Sequence, residues 1–326
     1  MHTLCLLGVM TPTPVSAEAL SFLNTENGRA ALDISTRAVL NDGDRGSIVA
    51  VGLDTHRVLS RPDGDIATLT LQPYLVVANI APSLSNQSLQ VSGEEVLVDW
   101  RVSNLNLKLA PRGLANLRLG HFEVPFGLEQ VIQTAGTLNE MNARFNSGRK
   151  ADWGASINGL AHNLEYEFSW LTGPKSSKGF FAGRIGRSRN NDWWVGVSGL
   201  DGDTNIPSRP SNDTVERSRW GIDGGIQLTS GLHLLADIAA GRDDGERVTH
   251  ALIEGGYRNR NEKHLAYLQF RVGRIKTSND TLDSNSLTIG YRYEPGARLV
   301  TSFEYRYVLQ DILEPSQFTA QLRLRI

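Results

Sequence analysis

The chain has a single cysteine, Cys5, very few lysines, and no run approaching the ~20 apolar residues that a spanning helix needs. The last absence excludes helical spans but says nothing against spanning strands, in which only alternate residues face lipid. Cys5 falls inside an apolar N-terminal segment, so the processed chain would be cysteine-free, which suits an exported bacterial protein. A net charge of −2 gives no electrostatic case for a nucleic-acid partner. Catalytic signatures are missing as well. His56, His121, His162, His233, His250 and His264 are scattered without an H-x-x-x-H pair. No G-x-S-x-G elbow occurs, and no glycine-rich phosphate loop opens a helix. The expectation is a non-enzyme with no cofactor and no metal.

What the chain does have is alternation. In Ser316 to Ile326, Phe318, Ala320, Leu322, Leu324 and Ile326 point one way, and Thr319, Gln321, Arg323 and Arg325 the other. Two arginines in one short strand cannot sit unpaired in a dry core. They can face water while the apolar side faces hydrocarbon. About sixteen such segments follow one another with no long helix between them. Leu299, Thr301, Phe303, Tyr305 and Tyr307 oppose Arg298, Ser302, Glu304 and Arg306; Ala266, Leu268, Phe270 and Val272 oppose Tyr267, Gln269 and Arg271. Three segments are irregular. Ile48 to Val58 alternates poorly, as a strand with a bulge would. Pro73 is awkward inside a closed sheet and predicts a rim position or a local break. Between Val96 and Leu109 the apolar parity changes, which requires one extra residue near Ser103.

The connections give a second test. Even-numbered ones, such as Arg61 to Gly64, Pro111 to Gly113 and Ala161 to Asn163, carry tight-turn residues. Odd ones include Ile80 to Glu94, Pro125 to Lys150, Asp201 to Val215 and Ser278 to Asn285, which are longer and more polar. This fits short turns at one membrane face and long loops at the other. Trp153, Trp170, Trp193, Trp220, Tyr291, Tyr305 and Phe318 fall on the apolar face, mostly near strand ends, as interfacial girdles do. The expected fold is all-β: a transmembrane antiparallel β-barrel of about 16 strands in the bacterial outer membrane, with a long third extracellular loop folded into the lumen. Outer-membrane lipid is then its outer partner.

Sixteen strands enclose an aqueous channel. The longest connection, Pro125 to Lys150, with a short helix expected around Gly136 to Phe145, is the constriction candidate. Its polar residues include Glu129, Gln133, Glu140, Arg144, Arg149 and Lys150. The other placements are an outward-lying loop or a trimer latch. By parity Arg37, Arg101, Arg118, Arg219, Arg271, Arg292, Arg306 and Arg323 face the lumen, among other arginines. Guanidinium forks suit carboxylate, phosphate and sulfate, and rings of them favour anions. The plainer reading has these charges paired with lumen acids such as Asp33, Asp152, Glu167, Asp223 and Glu304 and merely keeping the bore wet. The functional expectation is passive diffusion of small hydrophilic solutes, with a weak lean to anions such as phosphate. The alternatives are a non-conducting barrel serving as sleeve or structural partner, and a soluble exported β-protein.

The N-terminus resembles an export signal: Thr3 to Met10 is apolar, and Val15-Ser16-Ala17 offers a cleavage site, although only His2 precedes the apolar core. The expected division is a signal peptide over 1–17 and a barrel over 18–326.

Leu119 to Glu129, L-G-H-F-E-V-P-F-G-L-E, resembles the G-x-F-x-V-P-F-G-x-E segment of the phosphate-selective porin O/P family. Arg149 to Gly154, R-K-A-D-W-G, followed by Ile157-Asn158-Gly159, resembles that family's next strand. The likeness covers roughly forty residues. It implies a sixteen-stranded outer-membrane barrel, commonly a homo-trimer, that passes anions. The phosphate specialists of the family use lysine-rich funnels, whereas this chain is rich in arginine, and its last residue, Ile326, is not the aromatic usual there.

Overall fold

The computed structural model describes residues 27–41, 43–80, 93–132, 136–141, 143–173, 178–189, 191–205, 214–277, 280–310 and 315–326. The expected signal peptide, Cys5 and Gln133 lie outside these residues.

Among the described residues one antiparallel sheet contains eighteen strand segments. They are β1 (Gly28–Leu40), β2 (Arg45–Arg61), β3 (Gly64–Leu71), β4 (Tyr74–Ile80), β5 (Gly93–Asp99), β6 (Ser103–Lys108), β7 (Asn116–Glu123), β8 (Ala151–Ala161) and β9 (Leu164–Leu171). The second half comprises β10 (Phe180–Arg187), β11 (Trp193–Asn205), β12 (Thr214–Gln227), β13 (Leu232–Asp243), β14 (Glu246–Arg258), β15 (His264–Lys276), β16 (Thr281–Gly296), β17 (Leu299–Gln310) and β18 (Gln317–Arg325). The sheet closes on itself: β1 pairs with β2 on one side and with β18 on the other, from Asp33 opposite Arg325 to Leu40 opposite Phe318. Closure satisfies every strand edge, which is what hydrocarbon demands of a spanning sheet.

Two staves are broken. β3 and β4 both pair with β2, and β4 pairs with β5 where β3 pairs with β6. Each couple is therefore one spanning stave with an interruption, and the barrel has sixteen staves. The interruptions fall at Gln72-Pro73 and at Trp100–Val102, where Arg101 has φ +24°. They face each other, because the Gln72 backbone N–H donates to Ser103 Oγ at 2.9 Å and Ser103 Oγ donates to the Trp100 carbonyl at 2.8 Å. Proline lacks a ladder donor, and the extra residue on the neighbouring stave absorbs that gap. Pro73 thus marks a mid-wall break and not a rim.

Alternation decides which side chains face out. On β15, Leu268 and Phe270 are exposed while Tyr267, Gln269 and Arg271 are buried. The same holds for Val49, Val51, Leu75, Val77, Trp170, Trp193, Ile222 and Leu322, all exposed. An apolar outer surface of this extent belongs in lipid and not in water. All seven expected girdle aromatics are exposed, but Trp220 lies in mid-stave, opposite Gly199 and Ala240, and not at a stave end.

Pro62-Asp63 and His162-Asn163 are two-residue connections, with Arg61 paired to Gly64 and Ala161 to Leu164. At the other rim the strands run further than the sequence suggests. β11 continues to Asn205, β12 starts at Thr214 and β16 starts at Thr281. The loops read as Asp201 to Val215 and Ser278 to Asn285 are therefore shorter, because polar alternating residues such as Asp201, Asp203 and Glu216 extend the ladder above the apolar band. The β13–β14 connection there, Asp244-Gly245, is as tight as any turn opposite.

Candidate functional site

Among the described residues of the segment between β7 and β8 there is no long helix. The helical turns there are α1 (Gly127–Val131) and α2 (Ala143–Asn146). The helix expected around Gly136 to Phe145 is confined to α2, because Gly136, with φ +71°, and the residues up to Met141 are not helical.

This segment bonds to inward-pointing groups on many staves. The Gly127 N–H donates to Ser198 Oγ of β11 at 3.0 Å, and the Leu128 N–H to Asp237 Oδ2 of β13 at 3.3 Å. Gln130 Nε2 donates to Glu167 of β9 at 2.8 Å. Gln321 of β18 donates to the Gly136 carbonyl at 3.0 Å, and Arg37 of β1 to the Thr137 carbonyl at 3.1 Å. Gln269 of β15 donates to Asn139 Oδ1 at 2.6 Å, and its neighbour Arg271 donates to the Glu140 carbonyl. Arg217 and Arg219 of β12 donate to the Asn146 and Phe145 carbonyls at 3.2 and 3.4 Å.

Apolar contacts fix the same segment. Val124 and Phe126, from the V-P-F stretch, are buried with Phe122, Leu171, Phe180, Leu200 and Ala239. Leu128, Val131 and Met141 are buried with Trp194, Leu235 and Leu252. A third inward cluster joins Val39, Ile48, Ala50, Val76, Ala78 and Ile80. The inward face is thus not uniformly polar. Its signal lies in adjacent apolar residues within a strand: Val76-Val77, Phe180-Phe181, Trp193-Trp194 and Leu234-Leu235 each place one member on either face.

Among the constriction candidates, Glu129 is only 4% exposed and accepts the Ala143 N–H at 3.1 Å, bracing α1 against α2. Burial raises its carboxyl pKa, an effect opposed by the Lys150 ammonium. Burial lowers the Lys150 pKa, opposed by Glu129, Glu123 and Glu140. Arg149 reaches Asp152 at 3.4 Å. Glu140 is half-buried and offers its carbonyl to β15; Arg144 lies on α2.

The eight lumen arginines occupy the inward face, and most have acids or carbonyls beside them. Arg323 Nε donates to both Asp33 oxygens at 2.9 Å, its Nη2 donates to Oδ2, and the Tyr74 hydroxyl donates to the same carboxylate at 2.8 Å. Arg101 lies 3.5 Å above the Tyr74 ring and 3.4 Å from Asp99. Arg118 meets Glu167 at 3.1 Å, Arg292 meets Glu294 at 2.8 Å, and Arg219 pairs with Asp243. Arg271 donates to Gln269 at 2.8 Å, and Arg306 is buried on β17. Sequence parity missed an amide ladder on β6–β8, where Asn116 donates to Asn158 and Asn158 to Asn106, each at 3.2 Å. It also missed the role of Asp237, which stands directly opposite Asp223.

A closed sixteen-stave antiparallel barrel with an apolar exterior and a charged inward belt has the architecture of the bacterial outer-membrane porins. Comparison with solved structures agrees. The chain is similar to an anion-selective porin from Comamonas acidovorans, with TM-score 0.60 and 12% identity, covering 92% of this chain and 99% of that one. It is similar to OprB of Pseudomonas putida, with TM-score 0.65 and 9% identity, covering 94% and 95%. It is also similar to the trimer form of OmpT, an outer membrane protein of Vibrio cholerae, with TM-score 0.62 and 13% identity, covering 92% and 99%. No protein-family model and no curated protein sequence matches the chain.

Proposed function

We propose that this barrel is a bacterial outer-membrane porin that passes small hydrophilic solutes by diffusion, with a weak lean to anions, and that it performs no catalysis. The observation that carries this reading is the closed wall with hydrocarbon-facing residues outside and ionised side chains inside. Such an interior needs water. The segment from Pro125 to Lys150 is the proposed constriction, since its bonds reach staves on opposite sides of the ring. The strip carrying Arg118, Arg149 and the amide ladder of β6–β8 is the proposed solute path. Phosphate, the solute suggested by the V-P-F-G likeness, is the finer form of the anion lean. It is supported by guanidinium chemistry and opposed by the acids already seated on most arginines.

Reversal potential in a salt gradient tests the lean. A unit charge 4 Å from an ion is worth about 1 kcal/mol in water. Replacing Arg118 and Arg149 by alanine is therefore expected to lower the anion-to-cation permeability ratio several-fold. An unchanged reversal potential discards both as selectivity residues.

A second reading, a plugged barrel or sleeve, is favoured by the three inward apolar clusters and by the many anchors of the β7–β8 segment. Swelling of loaded liposomes in arabinose separates the two, because only an open pore admits the sugar.

A further inference from the structure

Beside the β7–β8 segment lies a cavity of about 410 Å³, lined by Val131, Ile132 and Leu138 of that segment and by Arg189, Asn191 and Asp192 of the β10–β11 connection. Its size suits a small organic ligand. Three inward rings line it, Trp194 on β11, His233 on β13 and Tyr267 on β15, beside the outward-facing Tyr291 of β16. Each packs against a glycine of the neighbouring stave. A Cβ at Gly225 would come within 2.7 Å of the Trp194 ring, one at Gly256 within 2.4 Å of His233, and one at Gly290 within 1.9 Å of Tyr267. Each neighbouring stave thus leaves room for a ring against the wall, and Trp194 packs in addition with Leu128, Val131 and Met141 of the overlying segment. Leu138 and Leu265 add apolar surface to the lining without belonging to the cluster that holds α1.

The polar groups of the lining are unequally committed. Glu254 is engaged by His233 at 3.4 Å and by Gln269. Gln227 donates to the Thr229 carbonyl at 2.5 Å, and the Tyr267 hydroxyl to Glu304 at 2.7 Å. Arg258 and Arg292, by contrast, share one carboxylate, Glu294, at 3.8 and 2.8 Å. At that corner two guanidiniums meet one acid; in the rest of the lining Arg189 and Asp192 offset each other, and the second carboxylate, Glu254, is buried and held by His233 and Gln269. A sugar would need several uncommitted acceptors. A flat apolar body with one anionic group needs a ring platform and a guanidinium.

We propose that this cavity is a binding subsite for aryl carboxylates, with the ring against Trp194, His233 and Tyr267 and the carboxylate between Arg258 and Arg292. The proposal deepens the anion lean of the pore reading, since the ligand would come from the lumen.

Saturation-transfer NMR with benzoate on the detergent-solubilised barrel, corrected for empty micelles, tests it without requiring conduction. Benzoate is expected to receive saturation and acetate to need at least tenfold higher concentration for the same effect, with no transfer to glucose. The Arg258→Gln/Arg292→Gln double variant, shown to be folded by its heat-modifiable gel mobility, is expected to raise the half-saturating benzoate concentration at least tenfold. Glucose displacing benzoate, benzoate binding the double variant unchanged, or a benzoate signal no greater than that of empty micelles would each overturn the proposal. Conductance in plain potassium chloride, measured on the same preparation, reports on the pore reading separately.

Discussion

Glu129 carries an unusual burden for a surface-loop carboxyl. It is buried between α1 and α2, holds the Ala143 N–H, and has its pKa raised by burial. A folded-state pKa above the unfolded value contributes stability that is complete below the unfolded pKa and is lost as pH rises through the folded pKa. Packing of α1 and α2 around Glu129 is therefore expected to be tightest in acid and to loosen as the buried carboxyl ionises, with Lys150 and the Ala143 N–H, which both favour the ionised form, limiting the change. Glu129→Gln should remove this dependence. Hydrogen exchange at the Ala143 amide, expressed as a protection factor, reads it out; equal pH dependence in both proteins would refute the assignment. The carboxylate was legible in the sequence as a polar loop residue, but its burial was not. Burial depends on Phe126, Leu128 and Val131 packing onto apolar inward residues of distant staves.

Among the elements, β10 to β13 share a charge problem. Asp223 and Asp237 stand directly opposite across the β12–β13 ladder, where like charges repel. Arg184 resolves half of it, meeting Asp223 at 3.0, 3.1 and 2.6 Å with both side chains buried. Removing one partner of such a pair strands the other charge and costs about 3–5 kcal/mol. Arg184→Ala is expected to lower the urea midpoint of the folded, heat-modifiable form, and adding Asp223→Asn to recover most of the loss. Equal losses in the single and double variants would show that the guanidinium matters through packing, not charge. Stave existence and facing were readable in most staves, because a period of two needs only local sequence; in Ile48 to Val58, where apolar residues point both ways, the alternation was blurred, and the register shift falls at Leu59-Ser60. The pairing of the Gln72-Pro73 break with Trp100–Val102 was not, although each was visible alone. A proline and a parity change become one feature only when register sets them side by side. Stave ends were also misread where polar residues continue the ladder beyond lipid.

Across the whole molecule the outer aromatics are unevenly spread. From β8 to β18 they include Trp153, Trp170, Trp193, Tyr291, Tyr305 and Phe318, whereas β1 to β7 present one, Trp100, among Val49, Val51, Leu75, Val77, Val96 and Val98. Aromatic side chains mark lipid interfaces. A wall almost lacking them fits contact with protein, and we propose it as the face between copies in a homo-trimer. Val77→Trp with Leu75→Trp is expected to yield folded monomers in sedimentation analysis, since lipid accommodates the added rings and a packed interface does not. Trimers persisting in that variant would move the interface elsewhere.

All of this depends on water occupying the space that the wall encloses. Single-channel recording in a planar bilayer in potassium chloride measures that directly. A stable, stepwise, ohmic conductance after insertion of the folded protein is the expected result. Repeated insertion of folded protein with no current above the bare bilayer would contradict it.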